Sequence, residues 1–155
     1  DHRDLHTTLH SFPTRRSSIY HTNFAGLCLV MDNHAEAEEH LREAWRLIAG
    51  KADRYTCRTL FLRAALAAVG KTDASLFLGQ LKAIFEQGIQ PQPTRNVSVR
   101  ENLQQRLSPI AFALFDALYA AINEPDGLSK LNARPDWQAI TTVPLDTPWP
   151  ENAGS

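Results

Sequence analysis

The sequence predicts an all-α protein built from antiparallel helical hairpins and followed by an extended, proline-rich tail. Apolar residues recur at helical spacing along most of the chain, and no stretch shows the sustained alternation that is typical of a strand. Glycines, prolines and side-chain caps separate the helical stretches at short intervals. The spacing of apolar residues in the first hairpin recurs in the second, which favours a repeated architecture.

The N-terminal residues 1–18 show none of this periodicity. Ser11 to Ser18 (SFPTRRSS) resembles the conceptual translation of a common DNA-sequencing adapter, so we expect residues 1–18 to be artefactual or disordered. On this interpretation the authentic protein begins upstream of Ile19 and is truncated there. A metal-binding arm is the alternative, because three histidines in this segment share an i, i+4, i+8 spacing. They are His2, His6 and His10.

Two helical hairpins are predicted in the first half of the remaining chain. Asp32-Asn33 makes the turn of the first hairpin. In the second hairpin, Gly70 ends one helix and Thr72 or Asp73 caps the next. The predicted hairpins span residues 20–49 and 53–88, with helices over 20–31, 34–48 and 53–69 and a fourth that ends near Gly88.

A third hairpin is predicted after a connector with two prolines, residues 89–96. Ser98 and Glu101 have the spacing of a capping box, which opens a short helix. Ser108-Pro109 begins the next helix, which ends near Asn123. Because this helix is apolar around most of its circumference, we expect it to lie at the centre of the fold.

The C-terminal part of the chain is predicted to form two short helical turns and a tail. The turns cover residues 126–132 and 136–140, and the tail covers residues 141–155. Trp149 lies between two prolines, so we expect it either to dock on the helices or to anchor a partner. Trp45, by contrast, is expected in the core or along a groove.

The two repeated units share a set of large and small apolar positions. Measured from the second residue of the opening pair, the intervals to the later positions are identical in both units. Small residues at such positions let paired helices approach closely, and large ones fill the gaps between them. The first unit contains Phe24-Ala25, Cys28, Ala37, Leu41 and Ala44, and the second contains Phe61-Leu62, Ala65, Ala74, Leu78 and Leu81.

In these residues the chain from Tyr20 to about Gln87 resembles the tetratricopeptide repeat family. The resemblance implies hairpins stacked into a short right-handed α-solenoid, with a concave groove lined by the first helix of each hairpin. The third hairpin, residues 98–123, resembles a capping element that hides the apolar end of such an array. A partner peptide or protein segment in the groove is expected to contact exposed residues of the first helices, namely Asn23, Leu27, Arg54, Arg58 and Arg63.

Composition argues against nucleic-acid and membrane partners. The net charge is −1, and the basic cluster of Arg95, Arg100 and Arg106 is modest. No apolar run approaches the length of a membrane span. We therefore expect a cytoplasmic protein with a protein or peptide partner.

No residue pattern supports catalysis, so we expect no enzyme activity, cofactor or metal. Gly70-Lys71-Thr72 lacks the second glycine of a phosphate-binding loop, since position 65 is alanine. Cys28 and Cys57 lack a CxxC partner, and a buried, reduced thiol is the simpler interpretation of both. His34, Glu38 and His40 have the spacing of ordinary neighbours on a solvated helix face rather than of a metal site.

The sequence thus predicts a non-catalytic protein–protein interaction module, in the C-terminal part of a longer bacterial repeat protein. The alternative is a helical regulatory appendage of an enzyme whose catalytic domain lies upstream of residue 19. The oligomeric state and the docking of the tail are left open.

Overall fold

The structure is a computed structural model that describes residues 11–48, 51–94 and 96–151. Within these ranges the chain forms helices and loops without a strand, so the predicted all-α class is confirmed. None of these helices is both long and apolar enough to cross a membrane. The helices are α1 (Ser11–Val30), α2 (His34–Ile48), α3 (Thr56–Val69), α4 (Ser75–Glu86), α5 (Val97–Arg106), α6 (Pro109–Asn123), α7 (Gly127–Asn132) and α8 (Pro135–Gln138).

The first helix is longer than the sequence predicts. It begins at Ser11 and so includes the second part of the segment that we expected to be artefactual or disordered. Ser18 is buried against α2, where its hydroxyl donates to the Ala44 carbonyl over 3.4 Å. Residues 1–10, with the three histidines of the alternative metal-binding arm, lie outside the described residues.

Side-chain caps set several helix boundaries. The Ser108 hydroxyl accepts from the Ala111 N–H over 3.3 Å, as its position before Pro109 predicts. The predicted capping box at Ser98 is wrong, because the cap lies two residues earlier, at Asn96, whose side chain accepts from the Val99 N–H over 3.2 Å. Ser98 is therefore an ordinary residue within the helix.

Helix α3 lies at the centre of the fold, and the central position that we expected for α6 is wrong. Helix α3 packs against α1, α2, α4, α5 and α6. It is buried around its circumference, whereas α6 leaves Ile110 84% exposed and buries only one side. An apolar helix does not reveal how many neighbours it has, because the number depends on the order in which the hairpins stack.

The third hairpin folds back onto the first helices. Asn96 and Val99 of α5 lie against α1 at Gly26, where a Cβ atom would approach the Asn96 side chain to 3.1 Å. At the other end of α5, Arg106 forms an ion pair with Asp32 over 2.9 Å. Helix α6 reaches α3 through Phe61 and Phe115, whose ring centroids are 6.0 Å apart. Part of the face that the first helices share is therefore covered.

The tail docks along α4. Its backbone comes so close to Gly79 that a Cβ atom there would lie 2.5 Å from Val143 Cγ2, and the Val143 N–H donates to the Gly79 carbonyl over 3.1 Å. The ammonium group of Lys82 donates to the Ile140 carbonyl over 2.8 Å. Trp149 is buried at the end of this path. Docking on the helices is therefore the outcome for Trp149, and the tail covers α4 at Gly79 and Gln80.

Candidate interaction site

One side of α1 presents large apolar side chains to solvent. Tyr20, Leu27 and Met31 are 59%, 53% and 70% exposed, and Phe24 between them is half-buried. Their spacing of four, three and four residues places them on one face of the helix. Asn23 is exposed beside them. We call these five residues the outer face of α1.

A row of polar residues on α2 borders this face. One ring nitrogen of His21 and one of His40 share a hydrogen bond of 2.8 Å, and Phe24 packs on the His40 ring with centroids 4.6 Å apart. The exposed carboxylate of Glu36 lies 4.0 Å from the Cys28 thiol. A hydrogen bond from Arg46 lowers the pKa of the Glu43 carboxyl, and the nearby His21 adds to this effect. The outer face of α1 is thus apolar with a polar border, in which Glu43 is paired with Arg46 and Glu36 is acidic.

The structure divides the five predicted partner-binding residues among three places. Asn23 and Leu27 lie together on the outer face of α1. Arg54 and Arg58 lie at the start of α3, beside the connector. Arg63 is only 8% exposed and faces the other side of α3, so it does not share a surface with the rest.

Arg63 belongs to the binding site of the tail. Its guanidinium group donates to Glu38 over 2.9 Å and lies 4.2 Å from the centroid of the Phe77 ring. Phe77 in turn packs edge-on against Trp149, and Trp45 stacks on Trp149 with centroids 4.9 Å apart. Desolvation lowers the pKa of Arg63, although Glu38 opposes this effect. The side chain therefore supports the groove that holds the tail.

Two residues of α4 receive the tail without having been predicted from the sequence, Gly79 and Gln80. A signal for Gly79 was present, since an isolated glycine within a helix indicates close approach of another backbone. Gln80 had no such signal, because an amide in a helix is usually solvated. Its burial follows only from the path of the tail.

Arg58 lines a cavity of about 210 Å³, which lies between α1, the start of α3 and the connector, and Arg54 is bonded to Gln92 of the same lining. The Arg54 guanidinium donates to the Gln92 side chain and packs over the Tyr55 ring, 5.4 Å from its centroid. Arg58 is half-buried along the wall of the cavity. We call this space the connector cavity.

The residues considered for other chemistry have structural partners. Glu38 accepts from Arg42 and Arg63, and His40 pairs with His21, so these two do not converge on a metal with His34. Among the residues that the structure describes, no group of three or more His, Cys, Asp or Glu side chains could hold a metal ion.

The thiols and the Gly70-Lys71-Thr72 turn are similarly engaged. Burial raises the pKa of the Cys57 thiol to about 12 and also raises that of Cys28, which disfavours the nucleophilic thiolate in both. The Thr72 hydroxyl donates to the Ala67 carbonyl over 3.1 Å, which closes the end of α3.

The fold is an all-α stack of helical hairpins, and similarity to known proteins does not define the class of this protein more narrowly. No family model, curated protein or solved structure matches the chain. The resemblance to tetratricopeptide repeats therefore stays a prediction.

Proposed function

We propose that this chain is a non-catalytic protein–protein interaction module that binds an amphipathic helix of a partner protein on the outer face of α1. The observation that supports it is the exposure of Tyr20, Leu27 and Met31 on one face of a helix. Contiguous apolar surface of this kind is unfavourable in water and marks interaction sites in soluble domains.

The remaining surfaces of the hairpin stack are less suited to a partner. The shared face of α1 and α3 carries α5 at Gly26 and the connector beside Arg58. The side of α4 carries the docked tail, with Val143 bonded to Gly79. The outer face of α1 has no such cover among the described residues, which favours it over the concave groove that the repeat resemblance implies.

The border of the face suggests the chemistry of the partner. Glu36 of α2 lies beside Cys28 and forms no ion pair in the described part of the chain, whereas Glu43 already pairs with Arg46. A lysine or arginine on one flank of the partner helix would therefore gain a favourable charge interaction with Glu36. Apolar residues at i, i+3 or i+4, and i+7 of that helix would match the spacing of the face. The proposed partner is therefore a helix with an apolar stripe and a basic flank.

Site-specific photo-crosslinking tests this proposal. A benzophenone amino acid replaces Leu27 in one variant and Ile110 in a matched control, because Ile110 is 84% exposed on a different helix. In cells that produce the protein, we expect the probe at Leu27 to label one partner segment with an apolar stripe and a basic flank. Met31→Asp should abolish this labelling, and Ile110→Asp should leave it unchanged.

Two outcomes would contradict the proposal. One is labelling of the same proteins from positions 27 and 110, which would indicate non-specific contact. The other is labelling of a second copy of this chain alone, which would identify the face as a self-association surface.

A further inference from the structure

The connector cavity contains a positive charge without a counter-ion. Arg58 is half-buried on its wall, and in the described part of the chain no Asp or Glu forms an ion pair with it. Desolvation is the cause that lowers the pKa of its guanidinium group. Buried or half-buried charges are normally paired, since the loss of hydration is otherwise uncompensated.

The acidic residue nearest in sequence is already engaged. The Asp53 carboxylate accepts from the N–H groups of Tyr55 and Thr56 over 2.8 and 3.0 Å. It also accepts from the Thr56 hydroxyl over 2.9 Å. Asp53 thus caps the start of α3. Arg58 lies in the first turn of the same helix, where the helix dipole disfavours a cation. Both its partial burial and its place in the helix are therefore unfavourable for the charge.

Two further arginines increase the positive potential at this end of α3. The guanidinium carbons of Arg15 and Arg54 lie 5.6 and 5.4 Å from the centroid of the Tyr55 ring, which also lines the cavity. Arg15 is 3.9 Å from Asp53, which is the limit of an ion pair. An anion in the cavity would therefore enter a region of net positive charge.

Hydroxyl groups also line the cavity. The hydroxyls of Thr22 and Thr59 are 2.9 Å apart, and only one of their two protons can lie between the oxygens. The other proton is available to an acceptor. Thr94 brings a third hydroxyl from the connector. The cavity therefore offers hydrogen-bond donors as well as charge.

The connector is held in place without any ligand. The Gln92 N–H donates to the Arg54 carbonyl over 2.8 Å, and the Thr94 N–H donates to the Asn123 side chain over 2.7 Å. These bonds tie the connector to α3 and α6. A cavity whose walls are already ordered binds a ligand with a smaller loss of conformational entropy.

We propose that the connector cavity binds the carboxylate or phosphate group of a small molecule, with Arg58 as its counter-ion. The guanidinium group donates two parallel hydrogen bonds to two oxygens of the anion. The Thr22–Thr59 hydroxyl pair, which lines the same cavity, donates to the same anion. The cavity volume of about 210 Å³ is below that of a pocket for a drug-sized ligand, so the molecule that carries the anionic group is small.

The test uses sodium acetate and sodium phosphate as probes, with chloride at the same ionic strength as reference. Side-chain Nε–H resonances of arginine are followed by NMR, and thermal unfolding is recorded in parallel. We expect a saturable shift of the Arg58 resonance and a rise in Tm with acetate, phosphate or both. The probe that saturates at the lower concentration identifies the preferred group.

Variants separate this site from general charge screening. Arg58→Gln should weaken anion affinity by about tenfold or more, since a charged donor pair is lost. Arg106→Gln is the matched control, because Arg106 is exposed, pairs with Asp32 at the other end of α5 and does not line the cavity, and it should retain saturable binding. Without anion, Arg58→Gln should have a Tm equal to or above that of the parent protein, because an unpaired, half-buried charge is removed.

The proposal is overturned by a shift that rises linearly without saturation, by an equal effect of chloride, or by equal loss in both variants. Arg58→Met serves as a second variant if Arg58→Gln fails to fold, because it retains an unbranched stem. Neither the NMR titration nor the measurement of Tm depends on a protein partner at α1.

Discussion

Gln80 of α4 and Trp149 of the tail are joined by a buried hydrogen bond. The indole N–H of Trp149 donates to Gln80 Oε1 over 2.9 Å. The amide nitrogen of the same glutamine donates to the carbonyls of Pro144 and Thr147 over 3.2 and 3.0 Å. Gln80 is fully buried. One side chain thus satisfies three polar groups of a segment that lacks regular secondary structure, and this makes the tail part of the core.

Replacement of Gln80 by leucine should therefore release the tail. The substitution leaves the Trp149 N–H without its acceptor, and each buried polar group left unpaired costs about 1–3 kcal/mol. We expect a loss of about 2–4 kcal/mol in the free energy of unfolding, measured by urea denaturation. Gln105→Leu on the exposed side of α5 is the control and should change stability by less than about 0.5 kcal/mol. Equal effects of the two substitutions would contradict the role of Gln80.

Gly79→Ala should destabilise the protein although alanine favours helices. Alanine gains about 1 kcal/mol of intrinsic helix propensity over glycine. Its Cβ atom would nevertheless meet Val143 Cγ2 at 2.5 Å and the Thr141 carbonyl still more closely. We expect a lower Tm and a red shift of Trp149 fluorescence as the tail leaves α4. In a variant that ends at Ile140, the same substitution should be stabilising, and a loss of Tm there would contradict the explanation.

Removal of one partner from the ion pair of Glu38 and Arg63 should destabilise the protein more than removal of both. Both side chains are largely buried, and Glu38 also accepts from Arg42 over 3.3 Å. Breaking such a pair leaves an uncompensated charge, so Glu38→Gln should cost about 2–4 kcal/mol. The double variant Glu38→Leu, Arg63→Met should recover part of this loss. Chemical denaturation of the single and double variants measures the difference.

Stability should fall at alkaline pH in part because of Cys57. Burial raises the pKa of this thiol in the folded protein from 9.0 to about 12, whereas the unfolded chain ionises near the lower value. Between these values the unfolded state binds fewer protons, so folding stability decreases as pH rises, by up to about 1.4 kcal/mol per pH unit for one group. Below pH 9 this contribution is fully present.

Cys57→Ala tests this dependence. The variant should show a smaller decrease in unfolding free energy between pH 9 and pH 11 than the parent protein. In the folded parent protein, iodoacetamide should label Cys57 much more slowly than in urea. Parallel pH profiles for the parent and the variant would contradict the role of the buried thiol.

Polar substitutions on the outer face of α1 should barely alter stability. Leu27 and Met31 are more than half exposed, so glutamine at either position removes little buried area. We expect a change below about 0.5 kcal/mol in the free energy of unfolding. A loss above about 2 kcal/mol would show that these side chains are packed in solution and would remove the basis of the proposed docking face.

Local signals in the sequence predicted the helices well. Asp32-Asn33 makes the first turn, and Ser108-Pro109 begins α6 as expected. Such signals depend on bonds between residues within one turn, so they are visible in the sequence. The start of α1 at Ser11 is the largest difference, because the segment before Ile19 has little apolar periodicity of its own and continues a helix that packs on α2.

What the sequence determined by itself was the all-α class and the order of the hairpins, since periodicity and caps are local properties. The tertiary structure alone decided that α3 is central, that α5 folds back against Gly26, and that the tail is held by Gln80. It also separated Arg63 from Asn23 and Leu27. The physical reason is the same in each case. Whether a helix face is covered and whether a buried amide is hydrogen-bonded depend on a neighbour that is distant in the chain.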